Sequence, residues 1–162
     1  FGFGRAPTAD EIRAVDIAVG PHGQELPPGT GDVAAGARIY AIQCAACHGA
    51  NGHEGPDHRL VGGHDSLTGS KPQKTIGSYW PYATTVFDYI RRAMPFPMPG
   101  SLSDNEVYAV TAYLLHLNGI VEADFEANRT SLPAIKMPNR NGFTLDPRPE
   151  RFSQATSAPQ GE

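Results

Sequence analysis

Cys44-Ala45-Ala46-Cys47-His48-Gly49 contains both cysteines of the chain, and its spacing decides how the rest is read. Two thiols three positions apart, followed at once by an imidazole, supply what covalent attachment of one porphyrin requires. The thiols reach its two vinyl groups and the histidine meets the iron from one face. Two other chemistries use similar residues. A thioredoxin-like dithiol follows a strand within an alternating pattern of strands and helices, and a zinc site needs two further ligands at ordered spacing. Neither context surrounds residues 44–48. The stretch therefore predicts one covalently bound haem c, held by Cys44 and Cys47 with His48 as the proximal iron ligand.

Working outward, Asp32 caps a helix that runs to about Gln43 with Val33, Ala37, Tyr40 and Ala41 at helical spacing, delivering the chain directly into Cys44. Upstream, Thr8-x-x-Glu11 is a capping box before Ile12, Val15 and Val19, which predicts a short helix over 9–18. Pro21, Pro27, Pro28, Gly29 and Gly31 then mark a surface loop. Downstream, residues 49–82 show no sustained period and read as a long irregular segment, which in a compact domain usually has a specific task. A helix fits Ala83 to Ala93, ended by Pro95, Pro97 and Pro99. Ser103-x-x-Glu106 opens another, with Val107, Val110, Thr111, Leu114 and Leu117 as its apolar face and Asn118-Gly119 as its stop. The chain divides into an N-terminal arm (1–30), a haem domain (31–120), a C-terminal wrapping arm (121–152) and a disordered tail or linker (153–162). Apolar residues on both flanks, such as Ile12, Val15, Leu132, Ile135 and Phe143, suit arms that dock on a partner or wrap their own domain.

Composition narrows the function. Of 162 residues, 18 are Gly and 15 are Pro, so much of the chain is loop around a small helical core. Thirteen Lys and Arg against 17 Asp and Glu give a net charge of -4, which removes the electrostatic basis for binding nucleic acid or an anionic membrane. The apolar stretches fall short of the roughly 18 residues that a membrane span needs. Phe1 to Ala6 lack the basic start, apolar middle and small-residue cleavage site of a secretion signal. Haem attachment of the CxxCH kind takes place outside the bacterial cytoplasm, so an exported, periplasmic protein whose signal has been removed is expected.

The sixth iron position decides between electron transfer and ligand chemistry: a thioether raises the potential, and an open position favours binding or catalysis. Met94, Met98 and Met137 are each followed by proline, so the dipeptide alone does not discriminate. Context favours Met94, which ends a helix and begins a proline-stiffened loop. Met98, Met137 or a second imidazole from His53, His58 or His64 are the alternatives. Tyr79, Trp80 and Tyr82 cluster before Arg91 and Arg92. Aromatic rings with polar tips suit a porphyrin face, and guanidinium forks suit its two propionates. Gly29-Thr30-Gly31-Asp32-Val33-Ala34 imitates a dinucleotide fingerprint but follows Pro27 and Pro28 instead of a strand, and is rejected.

The combination of Cys44-Ala45-Ala46-Cys47-His48-Gly49, Met94-Pro95 and Leu102-Ser103-Asp104-Asn105-Glu106-Val107 resembles class I cytochromes c over roughly residues 30–120. The resemblance implies an all-α fold of three to five helices around one haem, here with long N- and C-terminal arms. Gly77-Ser78-Tyr79-Trp80-Pro81-Tyr82-Ala83, the run from Asp88 to Phe96 with Ala93-Met94-Pro95-Phe96, and Met137-Pro138-Asn139-Arg140-Asn141-Gly142-Phe143 are similar to the cytochrome subunit of the sulfane dehydrogenase of the Sox sulfur-oxidation pathway. That likeness runs from about residue 3 to 148. It implies a non-catalytic electron-transfer subunit in a hetero-oligomer, paired with a molybdopterin-containing subunit and passing electrons to a downstream cytochrome c. It also favours Met94 as the distal ligand. Many members of that family carry a second haem domain, and this chain has no second CxxCH. The competing expectations are a cytochrome subunit of a sulfite dehydrogenase, a free diffusible cytochrome, and a haem enzyme or gas sensor.

Overall fold

A computed structural model describes residues 2–144. In chain order its elements are α1 (Ala9–Val15), β1 (Thr30–Asp32), α2 (Val33–Gln43), α3 (Ala45–His48), α4 (Ala83–Ala93), α5 (Asp104–Leu117), β2 (Glu126–Asn128) and α6 (Ser131–Ala134). The expected mostly helical architecture is present, and α5 is its axis. Ser103 Oγ accepts from the Glu106 amide while the Glu106 carboxylate accepts from the Ser103 amide, so the capping box closes the helix start as its sequence requires. Val107, Tyr108, Val110, Ala112, Leu114 and Leu115 are all buried. This is more than one stripe, because α5 is covered from several sides.

One cover is α2, which crosses α5 at Gly36. A Cβ there would lie 2.7 Å from Tyr113 Cβ and overlap the Ala109 carbonyl, so a side chain would force the helices apart. One turn further along α2, Tyr40 packs against Tyr113 with ring centroids 5.3 Å apart. A second cover is α4, whose Phe87 meets Tyr108 at 4.5 Å. Asp32 serves two elements: it is the last residue of β1, and its Oδ1 accepts from the Ala35 amide at 2.7 Å to start α2.

Two features depart from the sequence expectation. The first helix ends at Val15, short of residue 18. Two tertiary hydrogen bonds take the backbone beyond it: Arg91 donates to the Ile17 carbonyl at 3.0 Å, and the Val19 amide donates to Asp88 Oδ1 at 2.7 Å. Groups that would continue the helix are thus pinned to α4. The second departure is a two-stranded antiparallel sheet pairing Thr30 with Asn128, Gly31 with Ala127 and Asp32 with Glu126, which joins the two flanks of the haem domain.

The C-terminal segment is therefore not a free docking arm. Ala127, Leu132 and Met137 are buried in the core and Ile135 packs against it. Within the N-terminal arm, Val19 and Leu26 are buried, and the Pro21 and Pro27 carbonyls accept from the Thr84 and Tyr108 hydroxyls. Only the part around α1, which has no buried residue, projects from the domain. The expected tail at 153–162, with the last residues assigned to the wrapping arm, lies outside the described residues.

The irregular run 49–82 is ordered by side-chain hydrogen bonds in place of periodic ones. Asn118, just past α5, accepts from the Gly62 amide and donates to the Leu60 carbonyl. Thr75 Oγ1 takes the Gly77 and Ser78 amides. This anchoring matters because the same run carries residues that face the CxxCH turn.

Candidate functional site

The CxxCH residues form their own turn of helix immediately after α2. The Cys44 amide bonds back to the Tyr40 carbonyl at 2.9 Å, and the His48 amide to the Cys44 carbonyl at 3.0 Å. Cys44, Cys47 and His48 are thus presented from one short helix, α3. Cys44 is half-buried against the core and Cys47 is exposed, and both are free thiols. Burial, with Cys47 close by, pushes the Cys44 thiol up to about 11. A hydrogen bond to Asp57, with a smaller contribution from burial, pushes Cys47 up as well. Both directions are the opposite of what a redox-active dithiol uses, a thiol made acidic by its surroundings.

His48 is oriented from outside the motif. Its Nδ1 lies 2.8 Å from the His58 carbonyl, which can only accept. The ring therefore carries its proton on Nδ1 and leaves the Nε2 lone pair available to a metal. The loop supplying that carbonyl is clamped against α3. The Asp57 amide donates to the Cys47 carbonyl at 2.9 Å. Gly55 sits so close that a Cβ would overlap the Cys47 carbonyl and the Gly49 amide. The Glu54 carboxylate accepts from the His53 and Asn51 amides, and these bonds hold its pKa down to about 2. The Tyr40 hydroxyl closes the far side by donating to the Gly49 carbonyl at 2.9 Å.

Met94 is the C-cap of α4, its amide bonded to the Ile90 carbonyl at 3.0 Å, and it packs half-buried against the core. Met98 is 58% exposed and Met137 only 2%, so the latter is a core residue. His53, His58 and His64 are all exposed. Among the described residues no group of three or more His, Cys, Asp and Glu is placed to hold a metal ion. A site whose iron arrives within a porphyrin needs none.

The structure leaves Tyr79, Trp80 and Tyr82 half-buried in one irregular run that closes a turn at Tyr79 and enters α4. Trp80 packs edge-on against Tyr89 at 5.8 Å, and Tyr79 against Phe143 at 5.2 Å. The two arginines are engaged differently from the sequence expectation. Arg91 Nε donates to Asp104 at 2.9 Å, and its fork also takes the Ile17 carbonyl. Arg92 forms a two-pronged pair with Asp88, one turn back on the same helix. Both guanidinium groups are thus neutralised by carboxylates of the chain. Sequence reasoning missed the contributions of Gly55 and the His58 carbonyl, which depend on the path of an irregular loop and leave no residue-type signature.

Two thiols on one turn and an imidazole with a directed Nε2 are what covalent attachment of one haem requires. The family profile for cytochrome c matches residues 33–118, spanning α2 to the end of α5. The chain belongs to the cytochrome c family. That family carries haem c covalently, and this cytochrome has both thiols that attachment uses. It is similar over 99% of its length, at 42% identity and a TM-score of 0.82, to 85% of a chain in the crystal structure of the sulfane dehydrogenase SoxCD from Paracoccus pantotrophus. It is also 36% identical over 106 residues to a thiosulfate dehydrogenase of Stutzerimonas stutzeri, and 28% identical over 122 residues to one of Psychrobacter arcticus. These alignments take in 58% and 75% of the cytochrome but only 33% and 34% of the two enzymes. The cytochrome thus spans about a third of the length of these relatives. No helix among the described residues is long and apolar enough to cross a membrane.

Proposed function

We propose that this cytochrome is the electron-transfer subunit of a periplasmic, molybdenum-dependent sulfane dehydrogenase, working between a molybdopterin-containing subunit and a downstream cytochrome c acceptor. The observation that carries the reading is the extent of the SoxCD similarity. A haem domain alone would account for a match over residues 33–118, whereas the observed one takes in 99% of the chain, flanks included.

In this reading Cys44 and Cys47 would hold one haem c through thioethers, His48 Nε2 and the Met94 sulfur would ligate its iron, and Tyr79 and Trp80 would line its face. Arg91 and Arg92, each holding a carboxylate, support that face from α4. When bound, the haem supplies a one-electron couple whose potential a thioether ligand raises. The protein's own contribution is to fix the imidazole through the His58 carbonyl and to present the thioether from a stiff loop.

The thiosulfate dehydrogenase relatives favour a second reading, in which the chain is the haem domain of an enzyme acting on thiosulfate. Expression with a haem-attachment system, purification from a sulfur-oxidising host and molybdenum analysis separate the two. A six-coordinate haem that does not bind carbon monoxide, co-purifying with a molybdenum-containing subunit, is the expected result. Purification alone without molybdenum would sink the subunit reading. Turnover of thiosulfate by that isolated chain would establish the second.

A further inference from the structure

Haem brings two carboxylates, which a pocket must neutralise or hydrogen-bond if they are to be held out of bulk water. Arg91 and Arg92 were the arginines that the sequence offered for this task. In the structure Asp104, Asp88 and the Ile17 carbonyl already engage them. The aromatic run 79–82 is instead flanked by two other cations. The Arg140 guanidinium lies over the Tyr82 ring at 3.9 Å, and the Lys74 ammonium over the Tyr79 ring at 5.0 Å. Neither forms an ion pair with a carboxylate among the described residues.

The polar tips of that run point the same way. Elsewhere the buried tyrosines use their hydroxyls on the backbone: Tyr40 on the Gly49 carbonyl and Tyr108 on the Pro27 carbonyl. The Tyr79 and Tyr82 hydroxyls and the Trp80 indole N–H have no such partner among the described residues. No fully buried side-chain polar atom there is left without a hydrogen bond, so these tips open onto accessible space. Among the described residues, these three donors and two cations gather around the run 79–82, which enters α4 at the end opposite Met94 and follows Ile76, whose amide bonds to the carbonyl of Leu60, two residues past the His58 carbonyl that orients His48.

The segment delivering Arg140 is built to hold a position. Met137 is buried in the core, and its carbonyl accepts the Arg140 amide at 3.0 Å. Asn139 Nδ2 donates to the Tyr79 carbonyl at 2.8 Å, and Phe143 packs edge-on against the Tyr79 ring. A loop that served only to cover the core has no need of a guanidinium stacked on a tyrosine with a free hydroxyl.

We propose that Arg140 and Lys74, together with the polar tips of Tyr79, Trp80 and Tyr82, anchor the two propionate carboxylates of the haem, so that the segment after β2 completes the cofactor site. This rests on the haem reading above and adds residues to it. A guanidinium fork can hold a carboxylate with two parallel bonds, and an ammonium serves as a point charge beside it. Two positive charges near the haem also favour the reduced, less positive iron, so removing either lowers the reduction potential.

The test compares R140Q, R140K, K74Q, R91Q and R92Q in the full-length holoprotein by midpoint potential and by the propionate bending mode in resonance Raman spectra. R140Q and K74Q are expected to lower the potential and shift the propionate mode, R140K to restore most of both, and R91Q and R92Q to give smaller changes. Unchanged potential and mode in R140Q and K74Q, or larger shifts in R91Q and R92Q, would overturn the proposal. Should R140Q fail to accumulate as holoprotein, K74Q carries the comparison: an unshifted propionate mode and an unchanged potential there overturn it. Wild-type protein without covalent haem would instead remove the underlying haem reading, an outcome visible before any variant is made.

Discussion

Gly36 shows how one residue sets the spacing of two helices. In an isolated helix, replacing glycine by alanine gains about 1 kcal/mol. Here the added methyl would meet the Ala109 carbonyl and Tyr113, and overpacking of a tight crossing costs about 1–3 kcal/mol. Gly36→Ala is therefore expected to destabilise the holoprotein by up to about 2 kcal/mol net, read as a lower denaturation midpoint with an unchanged slope. Met94 is the second test at this scale. Met94→Ala is expected to abolish the thioether-to-iron charge-transfer band and lower the potential, whereas Met98→Ala, at an exposed position, is expected to leave the band in place. If only Met98→Ala removed it, the axial assignment would be wrong. The attachment residues were legible because their chemistry demands a fixed spacing. The His58 carbonyl was not, since any residue type has a carbonyl and only the loop's path aims it at His48.

At the scale of elements, α2 and α5 were legible because apolar spacing and caps agree, with Ser103 and Glu106 closing the start of α5, and α4 because its apolar spacing runs into Pro95, Pro97 and Pro99. The strands were not: three residues are too short to show a period, and their pairing joins positions almost a hundred residues apart. The early end of α1 traces to Asp88, whose carboxylate binds the buried Val19 amide and the Arg92 guanidinium at once. Asp88→Ala would leave that amide without an acceptor, at a cost of about 1–3 kcal/mol. Asp88→Asn keeps an acceptor and is expected to cost less. The pH dependence follows from the carboxyl's lowered pKa. Burial is the largest single influence and raises it, but the bonds from Arg92 and Val19 together outweigh burial. A depressed carboxyl stabilises the fold fully above its unfolded value, near 3.8, and that contribution is lost as pH falls through the lower folded value. The wild-type advantage over Asp88→Asn should therefore be constant near neutrality and shrink below about pH 4, as followed by acid unfolding. An advantage independent of pH down to complete unfolding would show that the carboxylate charge contributes nothing.

At the scale of the whole molecule, the two flanks that looked alike in sequence have different fates. Leu132 is in the core, whereas Phe3 is 91% and Val15 78% exposed. The difference was not legible because apolar content alone does not say which surface a segment will find; the pairing of β2 with β1 commits the C-terminal flank to its own domain. Residues 17–28 are likewise committed by Arg91, Asp88 and Thr84. The projecting part, 2–16, carries Phe3, Ile12 and Val15, with Ile17 at its root, and α1 is closed by a capping box and an Arg5–Glu11 pair. Several exposed apolar side chains on one projecting arm invite association unless a partner covers them. The SoxCD similarity extends through this arm, and on the proposed function the molybdopterin-containing subunit is the expected cover. Deletion of residues 1–16, leaving the pinned segment intact, is expected to preserve the haem spectrum and the unfolding midpoint while abolishing co-purification with that subunit. Unchanged association would show that the arm is not the contact. Loss of the haem spectrum would show instead that the arm supports its own domain, contrary to the absence of any buried side chain on α1. Replacing Val15 and Ile12 together by serine in the full-length chain gives an independent reading, since a docking arm must lose affinity while the haem spectrum stays as it was.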